Sequence, residues 1–261
     1  MNYRFYAKTD PGRTRDNNED SVVFDEVTRV AVLADGMGGY NAGEIASGMA
    51  TAFIKSELSR WLTEAGSSAS IAEVRRAMEI CVDNANLSIF NAANSNASYS
   101  GMGTTLVVAV FRGDRLLVGH IGDSRCYRLR AGVMEQITKD HSLLQEQIDA
   151  GLISLEQAAT SSIKNLVTRA LGVDEVVMLD INEYPIEAGD VYLLCSDGLS
   201  DMVNDGAIAK IITSDVDLEA KTAQLIDAAN ANGGRDNISA LMVELKEAAE
   251  KRGLIARLLG K

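Results

Sequence analysis

Apolar residues in this chain fall either into short unbroken runs or into stretches with helical spacing, and the two kinds occur in blocks. Val30-Ala31-Val32-Leu33-Ala34 and Val191-Tyr192-Leu193-Leu194-Cys195 are runs of strand length with no polar side, so each predicts a fully buried strand. Thr104 to Phe111 and Leu116 to Ile121, joined across Arg112-Gly113-Asp114-Arg115, predict a hairpin, with further strands at Ser124 to Leu129 and Ile238 to Leu245. Ile45, Met49, Ala52 and Phe53, then Val74, Met78, Cys81, Ala85 and Ile89, recur at helical intervals on either side of a polar break. They predict an antiparallel helix pair over about 44–62 and 71–93, and weaker patterns predict helices near 143–150, 205–213 and 217–231. Thr138 to Gly172 is mixed and polar, a long excursion of the sort that carries a lid or specificity element. Strand clusters alternating with helix pairs predict an α+β fold with packed sheets rather than strict β-α-β alternation.

Both five-residue runs lead into Asp-Gly, at Asp35-Gly36 and, after Ser196, at Asp197-Gly198. An apolar strand belongs in a core, whereas an ionised carboxylate must be hydrated, paired or bound to a metal, so each Asp stands where core meets cleft. The glycine allows a sharp turn and a close approach of the backbone. Arg15-Asp16-Asn17-Asn18-Glu19-Asp20 and Arg235-Asp236-Asn237 flank the runs with more carboxylates. Such a set suits an oxygen-ligand metal centre built from the whole chain, and positions 20, 35, 197 and 236 converge only if their segments fold together. One domain is therefore expected over residues 1–245, with a short basic tail at 246–261.

Composition narrows the partners. With 46% hydrophobic and 24% charged residues the chain is an ordinary globular one, and its net charge of −12 argues against nucleic acid, whose phosphates select basic faces. Cys81, Cys126 and Cys195 are odd in number and form no CxxC pair, which suits buried thiols in a reducing compartment. No signal-like apolar start and no run near the roughly 18 residues of a membrane span occurs, so a cytoplasmic location without a transmembrane segment is expected. In the tail, Leu254, Ile255, Leu258 and Leu259 could make one apolar helical face among basic residues; a docking helix and a frayed solvated end are both open.

Several chemistries fail on their residues. Gly36-Met37-Gly38 suggests a dinucleotide loop, but Asn41 holds the third glycine position and Asp35 would oppose a pyrophosphate. No GxxxxGK[ST] loop occurs. The residues six beyond the three cysteines are Leu87, Gly132 and Asp201, none of them the Arg that a cysteine phosphatase requires. His120 and His141 are too scattered for HExxH, and Asp197-Gly198-Leu199-Ser200-Asp201 lacks the third-position ligand of an EF-hand. Hard oxygen ligands point to Mg²⁺ or Mn²⁺.

The segments RDNNED (15–20), ADGMGG (34–39), GE (43–44), GMGTT (101–105), GDSR (122–125), TKDHS (138–142), TRALG (168–172), SDGLSD (196–201) and GGRDNIS (233–239) form an ordered series. The series resembles that of the PPM, or PP2C-type, metal-dependent protein serine/threonine phosphatases in their bacterial single-domain form. The resemblance implies a four-layer αββα sandwich, two antiparallel sheets flanked by helix pairs, with a Mn²⁺ or Mg²⁺ cluster at one end. It implies that catalytic Asp35 bridges two tightly held metals, with the Gly36 carbonyl on the second and Asp197 and Asp236 completing the first. Asp20, with Glu19 beside it, would ligate or orient waters at the second metal. Asp123 would hold a third, weaker metal shared with Asp197, to which Asp201 can contribute, and Arg15 would be catalytic by clamping the substrate phosphate bidentately.

These roles fit the chemistry. Phosphate monoester hydrolysis is among the slowest uncatalysed reactions, so a nucleophile and charge neutralisation must both be supplied. Two metals roughly 3.5–4 Å apart acidify a bridging water and stabilise in-line displacement, Arg15 offsets charge on the equatorial oxygens, and no phosphoenzyme is needed. One position departs from the pattern: Tyr40 stands where the bacterial series commonly has His, a candidate acid for the leaving alkoxide. A phenol of pKa about 10 is a poorer donor than imidazolium, which leaves His141 or a water of the metal cluster as substitutes and Tyr40 as support or as a plain helix-entry residue. The function expected is hydrolysis of phosphoserine and phosphothreonine in proteins by a monomer that opposes a cognate Ser/Thr kinase. The alternatives are a non-catalytic phosphoprotein-binding module on the same fold, which has no need of a full ligand set, and a small-molecule phosphomonoesterase.

Overall fold

The apolar run at residue 30 has no polar side because the strand it forms is covered on both faces. In the computed structural model, which describes residues 1–39, 42–154, 157 and 166–247, the chain opens with β1 (Asn2–Asp10), β2 (Asp20–Asp25) and β3 (Val30–Met37). The helix pair α1 (Ala42–Ala65) and α2 (Ile71–Ser95) follows. Then come β4 (Gly103–Thr104), β5 (Leu106–Arg112), β6 (Arg115–Ile121), β7 (Arg125–Arg130), β8 (Val133–Gln136), the short α3 (Leu143–Asp149), β9 (Asp180–Pro185) and β10 (Val191–Cys195). The four-residue α4 (Asp197–Ser200), α5 (Asp205–Ile212) and α6 (Leu218–Ala231) precede β11 (Ile238–Lys246).

Every ladder is antiparallel. One sheet has the order β1-β11-β10-β7-β8, the other β2-β3-β5-β6-β9, with β4 paired to the end of β3. Strand alternation separates the layers. Val30, Val32 and Ala34 pack with Ile54, Leu58, Met78 and Val82 of the α1–α2 pair, while Ala31 and Leu33, with Val107 beside them, face the β1-β11-β10-β7-β8 sheet and meet Tyr192, Leu194 and Leu241. The far face of that sheet packs Leu193, Ala240 and Met242 against Ile208, Ile212 and Leu225. Each such fully buried aliphatic side chain contributes about 1.5–3 kcal/mol. The result is the αββα sandwich, with small residues Ala42, Ala46 and Ala50 letting α1 lie close on its sheet. α2 starts where the polar break ends, at a capping box between Ser70 and Glu73.

Three local expectations change. β3 does not stop at Asp35-Gly36 but continues to Met37, pairing with β4. Gly36 is needed for proximity instead of a turn: a Cβ there would lie 2.1 Å from the Gly43 carbonyl oxygen. The strand expected from Thr104 to Phe111 is split at Thr105, whose N–H donates to the Asp35 carbonyl (2.8 Å) and whose hydroxyl accepts from the Asp35 N–H (3.0 Å). β1, β2, β8 and β9 carry no apolar run longer than three residues and appear only in the structure. The three cysteines are buried and free, and no described helix is long and apolar enough to cross a membrane. Tyr40, the Ser161–Lys164 part of the excursion and the apolar positions of the tail lie outside the described residues.

Candidate metal centre

The interior between the sheets is apolar along most of its length and turns polar at one end. On β2, Val22 and Phe24 face inward, and two residues before Val22 the same face carries Asp20; on β3 the row Ala31, Leu33 continues into Asp35. The same step leads from Val107 to Thr105, from Cys126 to Ser124, from Leu194 to Ser196, from Leu241 to Ser239, from Ala7 to Thr9 and from Val118 to His120. Antiparallel pairing brings these ends together, with Asp20 directly opposite Asp35 and Thr9 opposite Ser239.

A cavity of about 260 Å³ opens here, lined by Arg15, Glu19, Asp35, Gly36, Met37, Gly38, Thr105, Asp123, Val167, Asp197 and Asp236. The structure thus brings seven sequence-predicted residues onto one cavity and places Asp20 just behind it. Asp123 arrives from the turn between β6 and β7, Asp197 as the first residue of α4, and Asp236 from the loop before β11. Gly198 permits that last approach, since a Cβ on it would lie 2.0 Å from the Asn237 carbonyl oxygen. Asp201 sits one helical turn after Asp197 and is exposed, its N–H donating to the Asp197 carbonyl at 2.7 Å.

Hydrogen bonds fix the carboxylates from behind. Ser196 Oγ donates to Asp20 Oδ2 (2.8 Å) and accepts from the Ser239 N–H (2.9 Å), and the hydroxyls of Thr105 and Ser124 lie 2.7 Å apart. Asn237 ties the N-terminal segment to β11: its Oδ1 accepts from the Glu19 N–H (2.8 Å) and its Nδ2 donates to the Asn17 carbonyl (2.8 Å). The Glu19 carbonyl accepts from the Gly36 N–H (3.0 Å) and from Ser47 Oγ (2.6 Å). Ser196, Ser239, Thr105, Ser124 and Asn237 were given no role by sequence reasoning. The signal that finds them is the period of two, read outward from each apolar run.

Electrostatically the site is under-neutralised. Among the described residues lining the cavity, Arg15 is the one cation, against Glu19, Asp35, Asp123, Asp197 and Asp236. Burial, followed by the charges of Asp20 and Asp197, raises the Asp35 pKa well above the usual carboxylate range; burial, then Asp123 and Asp236, does the same at Asp197. Asp20 and Asp123 are each pushed up to about 6, chiefly by burial. Arg15 Nη2 donates to Asp236 Oδ2 at 2.8 Å while half of its side chain (51%) remains exposed, so one guanidinium stands in for a cation at that carboxylate. Asp20 Oδ1 is buried without a hydrogen-bond partner. Clustered oxygen donors, a shortage of positive charge and an orphaned buried oxygen are what a hard divalent cation would resolve, so the donor set fits Mn²⁺ or Mg²⁺.

A second group, His120, His141 and Asp180, brings its ligand atoms within 4.8 Å of one another. It does not have the form of a metal site. The imidazole rings stack at 4.7 Å and 16°, so their in-plane lone pairs run side by side instead of meeting at a point. Arg169 Nη1 already donates to Asp180 Oδ1 (3.0 Å) and lies 3.3 Å from His141 Nε2. His141 does not line the cavity: its Nδ1 accepts from the Gly122 N–H (3.1 Å), and its Nε2 lies 3.0 Å from Asp180 Oδ2.

The sequence profile described as "Protein phosphatase 2C" matches residues 13–242. The "Serine/threonine phosphatase stp" of Listeria innocua is 38% identical over 240 residues, covering 91% of this chain and 94% of that protein. Among solved structures, the Mycobacterium tuberculosis serine/threonine phosphatase PstP/Ppp superposes with a TM-score of 0.85 at 36% identity, covering 95% of this chain and all of that one. The catalytic domain of PstP in complex with two manganese ions superposes with a TM-score of 0.81 at 36% identity, covering 94% of this chain and 99% of that one.

Proposed function

The chain belongs to the protein phosphatase 2C family of metal-dependent serine/threonine phosphatases, and from that premise we propose which of its residues do the work. Residues 1–245 form the catalytic unit, with the tail beyond it. Asp35, Asp197 and Asp236, with the Gly36 carbonyl and Asp20 behind, would hold two tight divalent cations, Mn²⁺ or Mg²⁺, and Asp123 would hold a weaker third. Bound there, the ions supply charge neutralisation and acidify a water for in-line attack on phosphorus. The observation that carries this reading is the convergence of five carboxylates and one guanidinium on a single cavity at the polar end of the inter-sheet core.

Each residue's part follows from its setting. Burial and mutual repulsion raise the Asp35 and Asp197 carboxyls well above the usual range, so holding a cation there would be coupled to loss of any proton they carry. The Arg15 guanidinium, now bonded to Asp236 with half of its side chain exposed, is placed to turn its free donors to the phosphate oxygens of the substrate in bidentate fashion. Thr105 holds the Asp35 main chain on both sides, which fixes the carboxylate before substrate arrives. The substrates are phosphoserine and phosphothreonine in proteins, placed there by a cognate Ser/Thr kinase, and the enzyme works in the cytoplasm as a monomer. Hydrolysis of a phosphothreonine peptide and of p-nitrophenyl phosphate, with Mn²⁺ and then with EDTA, tests this. The expectation is metal-dependent turnover of both, lost in Asp35→Asn and Asp236→Asn; near-normal Mn²⁺-dependent turnover in Asp35→Asn overturns the assignment.

A further inference from the structure

The Gly122 main chain, which delivers Asp123 to the cavity, is held on both sides by one residue. The Gly122 N–H donates to His141 Nδ1 at 3.1 Å, and the Gly122 carbonyl accepts from the His141 N–H at 2.9 Å. Gly122 has φ +98°, and a Cβ on it would lie 2.8 Å from Thr105 Cβ, so this turn is available to glycine alone. Because the carbonyl of Gly122 belongs to the peptide that carries the Asp123 nitrogen, fixing both sides of Gly122 fixes the direction from which Asp123 enters.

The far side of His141 reaches the excursion. Its carbonyl accepts from the Thr168 N–H (2.9 Å), the next residue forms a bridge from Ser142 to Val167, and the Leu143 N–H donates to the Leu166 carbonyl (2.9 Å). These bonds tie residues 141–143 to residues 166–168, and Val167 lines the catalytic cavity. The ring itself is pinned in one tautomer. With Nδ1 accepting from Gly122, the proton resides on Nε2 and is donated to Asp180 Oδ2, while His120 stacks on the ring face. Burial, with His120 and Arg169 nearby, lowers the His141 pKa and favours this neutral form.

We propose that His141 is a positioning residue: through its Nδ1 and main-chain N–H it sets the Gly122 turn, and thereby couples the Asp123 carboxylate to the pairing of residues 141–143 with 166–168 beside the cavity. The inference rests on the reading of Asp123 as the ligand of the weaker cation. It assigns His141 a role unlike proton donation to the leaving group, since neither ring nitrogen is directed at the cavity.

Two variants of one residue separate its contacts. His141→Asn keeps an oxygen near the Nδ1 position and loses the contact to Asp180; His141→Gln keeps reach toward Asp180 and loses the acceptor for Gly122. We expect His141→Gln to weaken the low-affinity phase of a calorimetric Mn²⁺ titration by about tenfold, the scale seen when an outer partner of a ligand is removed. Its kcat on a phosphothreonine peptide at limiting Mn²⁺ falls with it, KM stays within about twofold, and Tm matches that of His141→Asn, which keeps the weak phase. In wild type, a through-hydrogen-bond ¹⁵N–¹⁵N coupling between Gly122 and His141 Nδ1 is expected, and its absence overturns the proposal without any variant having to fold. Equal metal titrations for the two variants, or losses that follow Tm in both, also overturn it. Asp123→Ala is the control: if it leaves the weak phase intact, the reading of Asp123 fails; if it abolishes the phase while His141→Gln does not, only the His141 inference fails.

Discussion

Asp35 serves two opposing ends, since the features that suit it to a cation make it costly without one. Half-buried at the cavity wall, opposite Asp20 and near Asp197, Asp123 and Asp236, it is a carboxylate whose ionisation the metal-free fold resists. Asp35→Asn removes the repulsion and keeps the shape, so the metal-free variant should melt about 2–4 °C above metal-free wild type, the shift that roughly 1 kcal/mol gives in a chain of this size. Turnover should be lost in the same protein, and calorimetry beside a phosphatase assay reads both; a lower metal-free Tm would mean that Asp35 contributes stability through contacts instead. Ser196 is the complementary case. Its hydroxyl is fully buried and bonded to both Asp20 Oδ2 and the Ser239 N–H, so Ser196→Ala leaves two buried groups unsatisfied. A loss of about 1–3 kcal/mol in chemical denaturation is expected. A change within the error of the method would show that water takes over the hydroxyl's bonds.

At the scale of elements, what the sequence discloses depends on how many faces of an element are covered. β3, β5, β6, β10 and β11 are covered on both faces and announce themselves as apolar runs, whereas β9 offers Ile181 and Tyr184 amid polar residues and β8 is four residues at a sheet edge. β1 alternates Tyr3, Phe5 and Ala7 with Arg4, Tyr6 and Lys8, a strand pattern too weakly apolar to stand out before its pairing with β11 is known. The site divides the same way. Asp35 and Asp197 were legible because an Asp at the end of an apolar run is anomalous, Asp20 and Asp236 stood in acidic clusters and Asp123 in the ordered motif series, while Ser196, Ser239, Thr105 and Ser124 are ordinary residues for strand ends and gain meaning only through register. The direction of the His141 ring nitrogens depends on a contact with Gly122 that no local pattern encodes. Glycine positions in and beside α1 give an element-level test. Gly48 lies within α1 with open space around a prospective Cβ, so Gly48→Ala should stabilise by about 0.5–1 kcal/mol through helix propensity. Gly36→Ala must push a methyl group into the Gly43 carbonyl, separating β3 from α1, and should cost more than about 3 kcal/mol or prevent folding. Denaturant midpoints rank the three proteins, and Gly36→Ala at or above wild type would refute the close approach of β3 and α1.

For the whole molecule, the buried acid cluster makes stability, protonation and metal binding one linked equilibrium. Asp20 and Asp123, pushed up to about 6, and Asp35 and Asp197, raised well above the usual carboxylate range, bind protons in the folded chain at pH values where an unfolded Asp of pKa about 3.9 has lost them. Their contribution to stability is therefore fully present below about pH 4 and is lost as pH rises through the folded values. His120 and His141, held below their ordinary value by burial, work in the opposite sense, because the unfolded chain takes up their protons first as pH falls. Neither histidine lines the cavity, so the difference between the metal-bound and metal-free states is carried chiefly by the carboxylates that do. That comparison isolates the carboxylates, which must release their protons to bind a cation. The rise in Tm on adding a fixed excess of Mn²⁺ over EDTA-treated protein should accordingly grow from pH 5 to pH 7.5. Calorimetric titration in buffers of different ionisation enthalpy should show proton release that diminishes over the same range. An Mn²⁺-induced shift independent of pH, with no proton release at pH 5.5, would mean that the carboxylates are already ionised in the metal-free fold and that Arg15 and solvent neutralise them without help.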